Sequence, residues 1–216
     1  MNTRRKVPVL VDGNVRVVSS ADIVAYLDHR YGPPLALAAD PVRRVAARAW
    51  ERLSDGVVDA ILHDISIWMW PTHHRTDTAP TGLIEAGHRD MQQILSMLED
   101  GLGAADFLCG DVSVADIALF AHVSLLRGLG VPPDPVAYPR VCAWLESVRS
   151  LPFARRDLDV VRRGVAEKFS SRTGSPYEGE RIVRRGDRLE WLFANGFQGW
   201  WSTELTAGRA VVPVFL

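Results

Sequence analysis

The sequence predicts a mainly α protein: a short β-β-α segment in front, an all-helical body, and a compact tail. Three observations carry this. Only the first twenty residues combine β-branched runs with hairpin chemistry. From Asp40 to about Lys168, apolar residues recur at 3- and 4-residue spacing, in runs punctuated by Pro and Gly. Beyond Ser170, a polar stretch gives way to a segment unusually rich in tryptophan.

In the front segment, Val7 to Val11 reads as a strand, with Pro8 near its start, where a missing N–H is tolerated. Asp12-Gly13 is a hairpin signal, and Val15, Val17 and Val18 supply the return strand. Ser20 then reads as a helix N-cap. Ile23, Val24, Tyr26, Leu27 and Tyr31 give that helix its apolar face. Gly32 stops it, and Pro33-Pro34 prevents a restart.

The stretch "KVPVLVDG…SSADIVAYLDHRYG" resembles the second half of the thioredoxin-like domain of soluble glutathione S-transferases (GST), bacterial type. The resemblance implies a cis bond before Pro8. It also implies a glutathione site: Val7 and Pro8 beside the cysteinyl unit, Ser19 and Ser20 at the γ-glutamyl end. A hydroxyl at a helix N-terminus suits a carboxylate on physical grounds as well. Ser19 stands where the family carries an acidic residue or Gln, which weakens the grip on the γ-glutamyl ammonium. The family's domain opens with a strand, a helix and a second strand, and the thiol-activating Tyr, Ser or Cys lies near that helix. Residues 1–34 match only the part after it. Either the chain is a natural remnant or the true start lies upstream, and the catalytic residue is unknown.

Asp40-Pro41 opens a long helix, with Asp as N-cap and Pro at the first helical position. Its apolar positions run from Val42 to Ile65, and Gly56 interrupts it where another backbone is expected to pack closely. "RAWERLSDGVVDAIL" resembles the first long helix of the family's all-helical C-terminal domain. Residues 70–80 form a loop, and a second helix spans about Thr81 to Asp100, ended by Gly101 and Gly103. Ser113 and Asp116 form a structural capping box before a central, buried helix. The family has the same box there, and it is a folding signature rather than a catalytic one. Two more helices follow, from Pro139 to Leu151 and from Phe153 to about Lys168. The domain reading is therefore 1–34, 40–168, and 169–216 as linker and extension.

In the extension, residues 181–185 read as a short strand, and Asp187 as the cap of a helix ending at Asn195-Gly196. Trp200 to Leu205 adds another turn or two. Leu189, Trp191, Leu192, Phe197, Trp200 and Trp201 are more apolar bulk than a solvated tail needs. Residues 187–215 are therefore expected to fold back, with the helical domain as the favoured dock.

Composition bounds the function. Of 216 residues, 47% are apolar and 24% charged, and the net charge is -1. This balance argues against a nucleic-acid partner. No apolar run approaches the roughly 18 residues of a membrane span. Two cysteines, Cys109 and Cys142, exclude a disulfide framework and suggest a reducing cytoplasm. His63, His73, His74 and His88 lack the spacing of a zinc site, so no metal is expected. The resemblance implies glutathione as co-substrate, a small-molecule electrophile, and a homodimer through the helix ending near Arg30 and the long helices after Asp40. Trp68, Trp70, His73 and His74 are the candidate apolar electrophile site. Three functions stay open: a glutathione S-transferase-like protein inactive in conjugation unless completed, a non-enzymatic interaction module, and an enzyme using the apolar cleft without glutathione.

Overall fold

The computed structural model describes residues 7–31, 40–71, 73–169 and 175–213. Strands β1 (Val9–Asp12) and β2 (Val15–Val18) pair antiparallel, with Val9 opposite Val18 and Asp12 opposite Val15. The loop is Gly13-Asn14, one residue beyond the expected Asp12-Gly13. Gly13 takes φ 59 at the first loop position, where a hairpin turn of two residues needs a positive angle. The Val7–Pro8 bond is cis, as the resemblance implied.

Helix α1 (Ser20–Arg30) corrects one expectation: Ser20 is its first helical residue, and Ser19 holds the N-cap position without a side-chain cap bond. The reason is the length of the connection. A single residue joins β2 to α1, and Ser19 makes the reversal at φ 92, a region an L-residue rarely adopts. At the other end of α1, the Tyr26 and Tyr31 hydroxyls donate to Asp12 at 2.7 and 2.5 Å. Tyr31 first, then Tyr26, hold the Asp12 carboxyl below the usual range. The proposed stop at Gly32-Pro33-Pro34 lies outside the described residues.

Asp40 caps α2 (Pro41–Leu53) by accepting from the Arg43 amide at 3.0 Å. The long helix does not continue as one α-helix. Ser54–Val58 is a single π turn, and α3 (Asp59–Met69) follows it. Nothing lies within 4 Å of where a Gly56 Cβ would stand, so no backbone packs there. The interruption is an inserted residue in the helical ladder, the usual origin of a π bulge.

Helix α4 (Leu83–Leu102) ends at Gly103, φ 55, but Gly101 lies inside it. A Cβ on Gly101 would stand 2.5 Å from the Trp50 ring, so that glycine is a packing residue and not a stop. The remaining body helices are α5 (Val114–Val123), α6 (Leu125–Gly128), α7 (Pro139–Ser150) and α8 (Pro152–Phe169). The main core joins Ile61, Ile65, Leu95, Leu98, Leu119 and Trp144. Helix α5 is central, although Ile117 on one side stays 42% exposed. Asp116 is completely buried and accepts from the Leu108 and Ser113 amides, the Ser113 hydroxyl and the Trp144 indole, all within 2.9–3.1 Å. Glu99 of α4 caps α7 from outside, accepting from the Arg140 and Val141 amides at 3.0 and 2.9 Å.

The tail folds onto the body. Strand β3 (Ile182–Val183) pairs in parallel with β4 (Ala210–Val211), flanking α9 (Gly186–Ala194) and α10 (Gln198–Thr206). Arg185, not Asp187, holds the N-cap of α9, and Asp187 sits in its first turn, 3.2 Å from Arg185. Leu192, Trp201, Ile182 and Ala210 bury against Leu83 of α4. Trp191 donates to Asp90 at 2.8 Å, and Arg184 forms a buried ion pair with Asp64 of α3. No described helix is long and apolar enough to cross a membrane.

Candidate functional site

The hairpin register places one pair of sequence candidates beside the other. With Val9 opposite Val18, Val7 and Pro8 precede β1 at the same end where Ser19 and Ser20 follow β2. All four are exposed. The amides of Ser20, Ala21 and Asp22 open α1, and a helix leaves its first donors without intrahelical acceptors. This corner therefore offers main-chain N–H groups and the positive end of a helix dipole, which suit a carboxylate. Arg48 of α2 donates to the Ala21 carbonyl at 3.3 and 3.4 Å and pairs with Glu51, which fixes α1 against α2.

The aromatic candidates are divided. Trp70 stacks on His73 at 5.2 Å and packs against the main core. His74 Nδ1 lies 2.9 Å from the Trp70 carbonyl. Trp68 turns to the other side, edge-on to Trp200 at 6.1 Å, and belongs to the core shared with the tail. Trp68 lies twenty residues beyond Arg48, roughly 30 Å of helical rise at 1.5 Å per residue. The structure brings Val7, Pro8, Ser19 and Ser20 to one corner, and it sets Trp70, His73 and His74 together at the end of α3.

The π turn lies much closer to Arg48 and carries a polar network that sequence reading missed. Ser54 is completely buried, and its hydroxyl meets His122 Nδ1 of α5 at 2.7 Å. His122 Nε2 faces Asp59 at 3.8 Å. Arg188 of the tail holds both Asp59 oxygens, at 2.8 and 3.1 Å. Burial pushes the Asp59 carboxyl up, but His122 and Arg188 outweigh it and hold it well below the usual range. Asp55, on the open side of the turn, is pushed up by burial and by Glu51. The only trace in the sequence was Gly56, since Ser54, His122 and Arg188 are far apart along the chain.

Other candidates take structural places. Burial, then Arg184 and Arg188, push His63 down to about 3, so its imidazole is neutral. His88 lies on α4. No group of three or more His, Cys, Asp or Glu among the described residues is placed to hold a metal ion. Burial pushes both the Cys109 and Cys142 thiols up, which makes them poor nucleophiles.

Comparison with known proteins adds to this geometry. Residues 1–35 match the family model described as glutathione S-transferase, N-terminal domain, and residues 81–147 the one described as glutathione S-transferase, C-terminal domain. The chain is 30% identical over 164 residues to glutathione S-transferase U19 of Arabidopsis thaliana, covering 68% of each chain. It is 28% identical to maleylacetoacetate isomerase of Pseudomonas aeruginosa, covering 65% of each. Among solved structures, glutathione S-transferase 1-6 from Anopheles dirus species B superposes with a TM-score of 0.64 at 24% identity, over 79% of this chain and 78% of that one. The beta-etherase LigF from Sphingobium sp. strain SYK-6 gives 0.62 at 21%, over 73% and 79%.

Proposed function

Because this chain belongs to the glutathione S-transferase superfamily, we propose that it holds glutathione in the corner between the start of β1 and the first turn of α1. The observation that carries this is the juxtaposition of the Val7–Pro8 edge with the open α1 N-terminus. The γ-glutamyl carboxylate takes the first-turn amides and the Ser20 hydroxyl. The cysteinyl unit pairs with the Val7 main chain. Ser19 offers no negative charge to the γ-glutamyl ammonium, so affinity is modest.

The apolar electrophile would sit between the thiol of the cysteinyl unit held at Val7 and the helix running from α2 to α3, whose π turn forms one wall and whose end carries Trp68 and Trp70. A thiolate there attacks the electrophilic carbon, forming the S–C bond as the leaving group departs with its electron pair. Holding the two reactants together and lowering the thiol pKa would be the protein's contributions. Among the described residues, Ser19 and Ser20 are taken by the γ-glutamyl end in this reading, and no cysteine or tyrosine is placed for the second task. Tyr26 and Tyr31 bond Asp12 at the far end of α1, and both cysteines lie in the helical body. Residues 1–216 are therefore expected to bind glutathione without accelerating its conjugation to a generic aryl halide.

Association fits the same reading. Leu27, Tyr31, Val42 and Val45 are exposed on α1, just beyond it, and on α2, and would meet in a homodimer. Two free thiols suit a cytoplasmic setting. Calorimetric titration with glutathione tests the site. Ser20→Ala is expected to weaken binding about 3- to 10-fold, the worth of one ordinary hydrogen bond at this exposed site. Ser19→Glu is expected to tighten it. Tight binding unaffected by either substitution, or robust turnover of the aryl halide, would overturn the reading.

A further inference from the structure

The tail meets the body in two chemically different ways. Trp201, Leu192 and Ile182 anchor it by burial. Arg188 does something else: it grips both oxygens of one carboxylate, and a bidentate guanidinium fixes that carboxylate's plane as well as its place. Arg185 reaches the same Asp59 at 3.4 Å. On its other side Asp59 faces His122 Nε2 at 3.8 Å, and His122 Nδ1 meets the buried Ser54 hydroxyl at 2.7 Å. A carboxylate opposite Nε2 keeps the ring proton on that nitrogen. Nδ1 is then the acceptor for the serine O–H. The path Arg188, Asp59, His122, Ser54 thus links the tail to the first residue of the π turn, its Asp59–His122 step being an electrostatic contact at 3.8 Å.

A π turn is rare because its geometry is poorer than that of the α-helix, and it persists where side chains hold it. Nothing lies within 4 Å of where a Gly56 Cβ would stand, and Val57 is 42% exposed. Ser54 and Val58, at its two ends, are its buried residues, and the Ser54 hydroxyl meets His122.

We propose that Arg188 is a positioning residue: through Asp59 and His122 it fixes the winding of the π turn, and with it one wall of the electrophile site. The identity of that wall rests on the reading above, whereas the relay itself does not.

The test uses the full chain with Arg188→Leu, Arg188→Lys and, as a control, Arg89→Ala. Arg89 bonds Asn195 of the tail at 2.6 Å, so its loss loosens the tail without touching Asp59. Amide hydrogen exchange across 54–58 and the ring ¹⁵N shifts of His122 are read without ligand. Arg188→Leu is expected to speed exchange at 54–58 about tenfold, the worth of a charge-assisted hydrogen bond, and to leave the α4 core unchanged. The His122 nitrogens should shift from a single tautomer to a mixture. Arg188→Lys should restore that signature in part, since lysine offers a point charge without the fork. Unchanged exchange and ring shifts in folded Arg188→Leu, or the same changes in Arg89→Ala, would overturn the relay. Failure of the wild type to bind glutathione would fall on the functional reading alone.

Discussion

Two buried carboxylates of this protein are held by opposite means. Asp116 is surrounded by neutral donors, four of them within 3.1 Å, all supplied by residues 108–144 of the body. Asp64 meets a single cation, Arg184, brought in by the tail from 120 residues away. Asp116 organises its surroundings at little residual cost. Asp64 keeps one oxygen and Arg184 one nitrogen buried without a hydrogen-bond partner. Burial pushes the Asp64 carboxyl up, against the pull of Arg184. A dipole cage of this kind holds a fold together, whereas a buried ion pair specifies a contact while contributing little net stability.

The largest expected effect is at the cage. Asp116→Ala strands four donors and should cost about 3–5 kcal/mol in urea unfolding. Asp116→Asn keeps an acceptor and should cost less. At the ion pair, Arg184→Met leaves Asp64 buried alone and should cost about 2–4 kcal/mol, whereas Arg184→Met with Asp64→Leu should recover most of that loss or all of it. A double variant as unstable as the single one would show the pair to be a net stabiliser and erase the contrast.

The pH dependence sharpens it. Burial pushes the Glu99 carboxyl up, but the Val141 and Arg140 amides and the Arg140 side chain outweigh it, so its folded value lies below its unfolded one. Asp59 is shifted the same way. Their contributions are present above the unfolded carboxylate range, about pH 4–4.5, and are lost as pH falls through the lowered folded values. Asp64 has the opposite sign: its ionisation destabilises as pH rises through its raised value. Stability should therefore fall on acidification below about pH 4.5, less steeply in Glu99→Gln. A Glu99→Gln chain with an unchanged acid limb would contradict this. The smallest effect concerns Ser19, whose φ 92 is strained. Ser19→Gly should raise stability by up to about 1 kcal/mol.

The same contrast explains what could be read in advance. The Ser113–Asp116 box, the Asp40 cap, the hairpin and the helical stripes are local patterns, and each appears within a residue or two of its expected place. The Trp-rich tail announced its own burial by apolar bulk alone. Interactions across long separations left no local trace: Glu99 capping α7, Asp64 with Arg184, and the Asp59–His122–Ser54 network. Gly101 misled because a glycine near a helix end also serves where an aromatic ring packs, and only the Trp50 contact distinguishes the two. Ser20 gave up the cap to Ser19 because sequence does not show how few residues join a strand to a helix. That Val7, Pro8, Ser19 and Ser20 meet at one corner was legible because they lie on one hairpin and one helix. The aromatic set divides in a way the sequence does not show: Trp70 packs on the main core, while Trp68 turns to the core shared with the tail.

The most direct test is a ¹H–¹⁵N titration of the full chain with glutathione. Binding in the corner should move the Ser20, Ala21 and Asp22 amides first, with Val7 and Val9, and leave the Trp68 indole unmoved. Saturation below about 10 mM is expected for a site with main-chain donors but no counter-charge for the ammonium. Shifts centred on Trp68, Trp70 and His73, or no shift at all in the first turn of α1, would contradict the account.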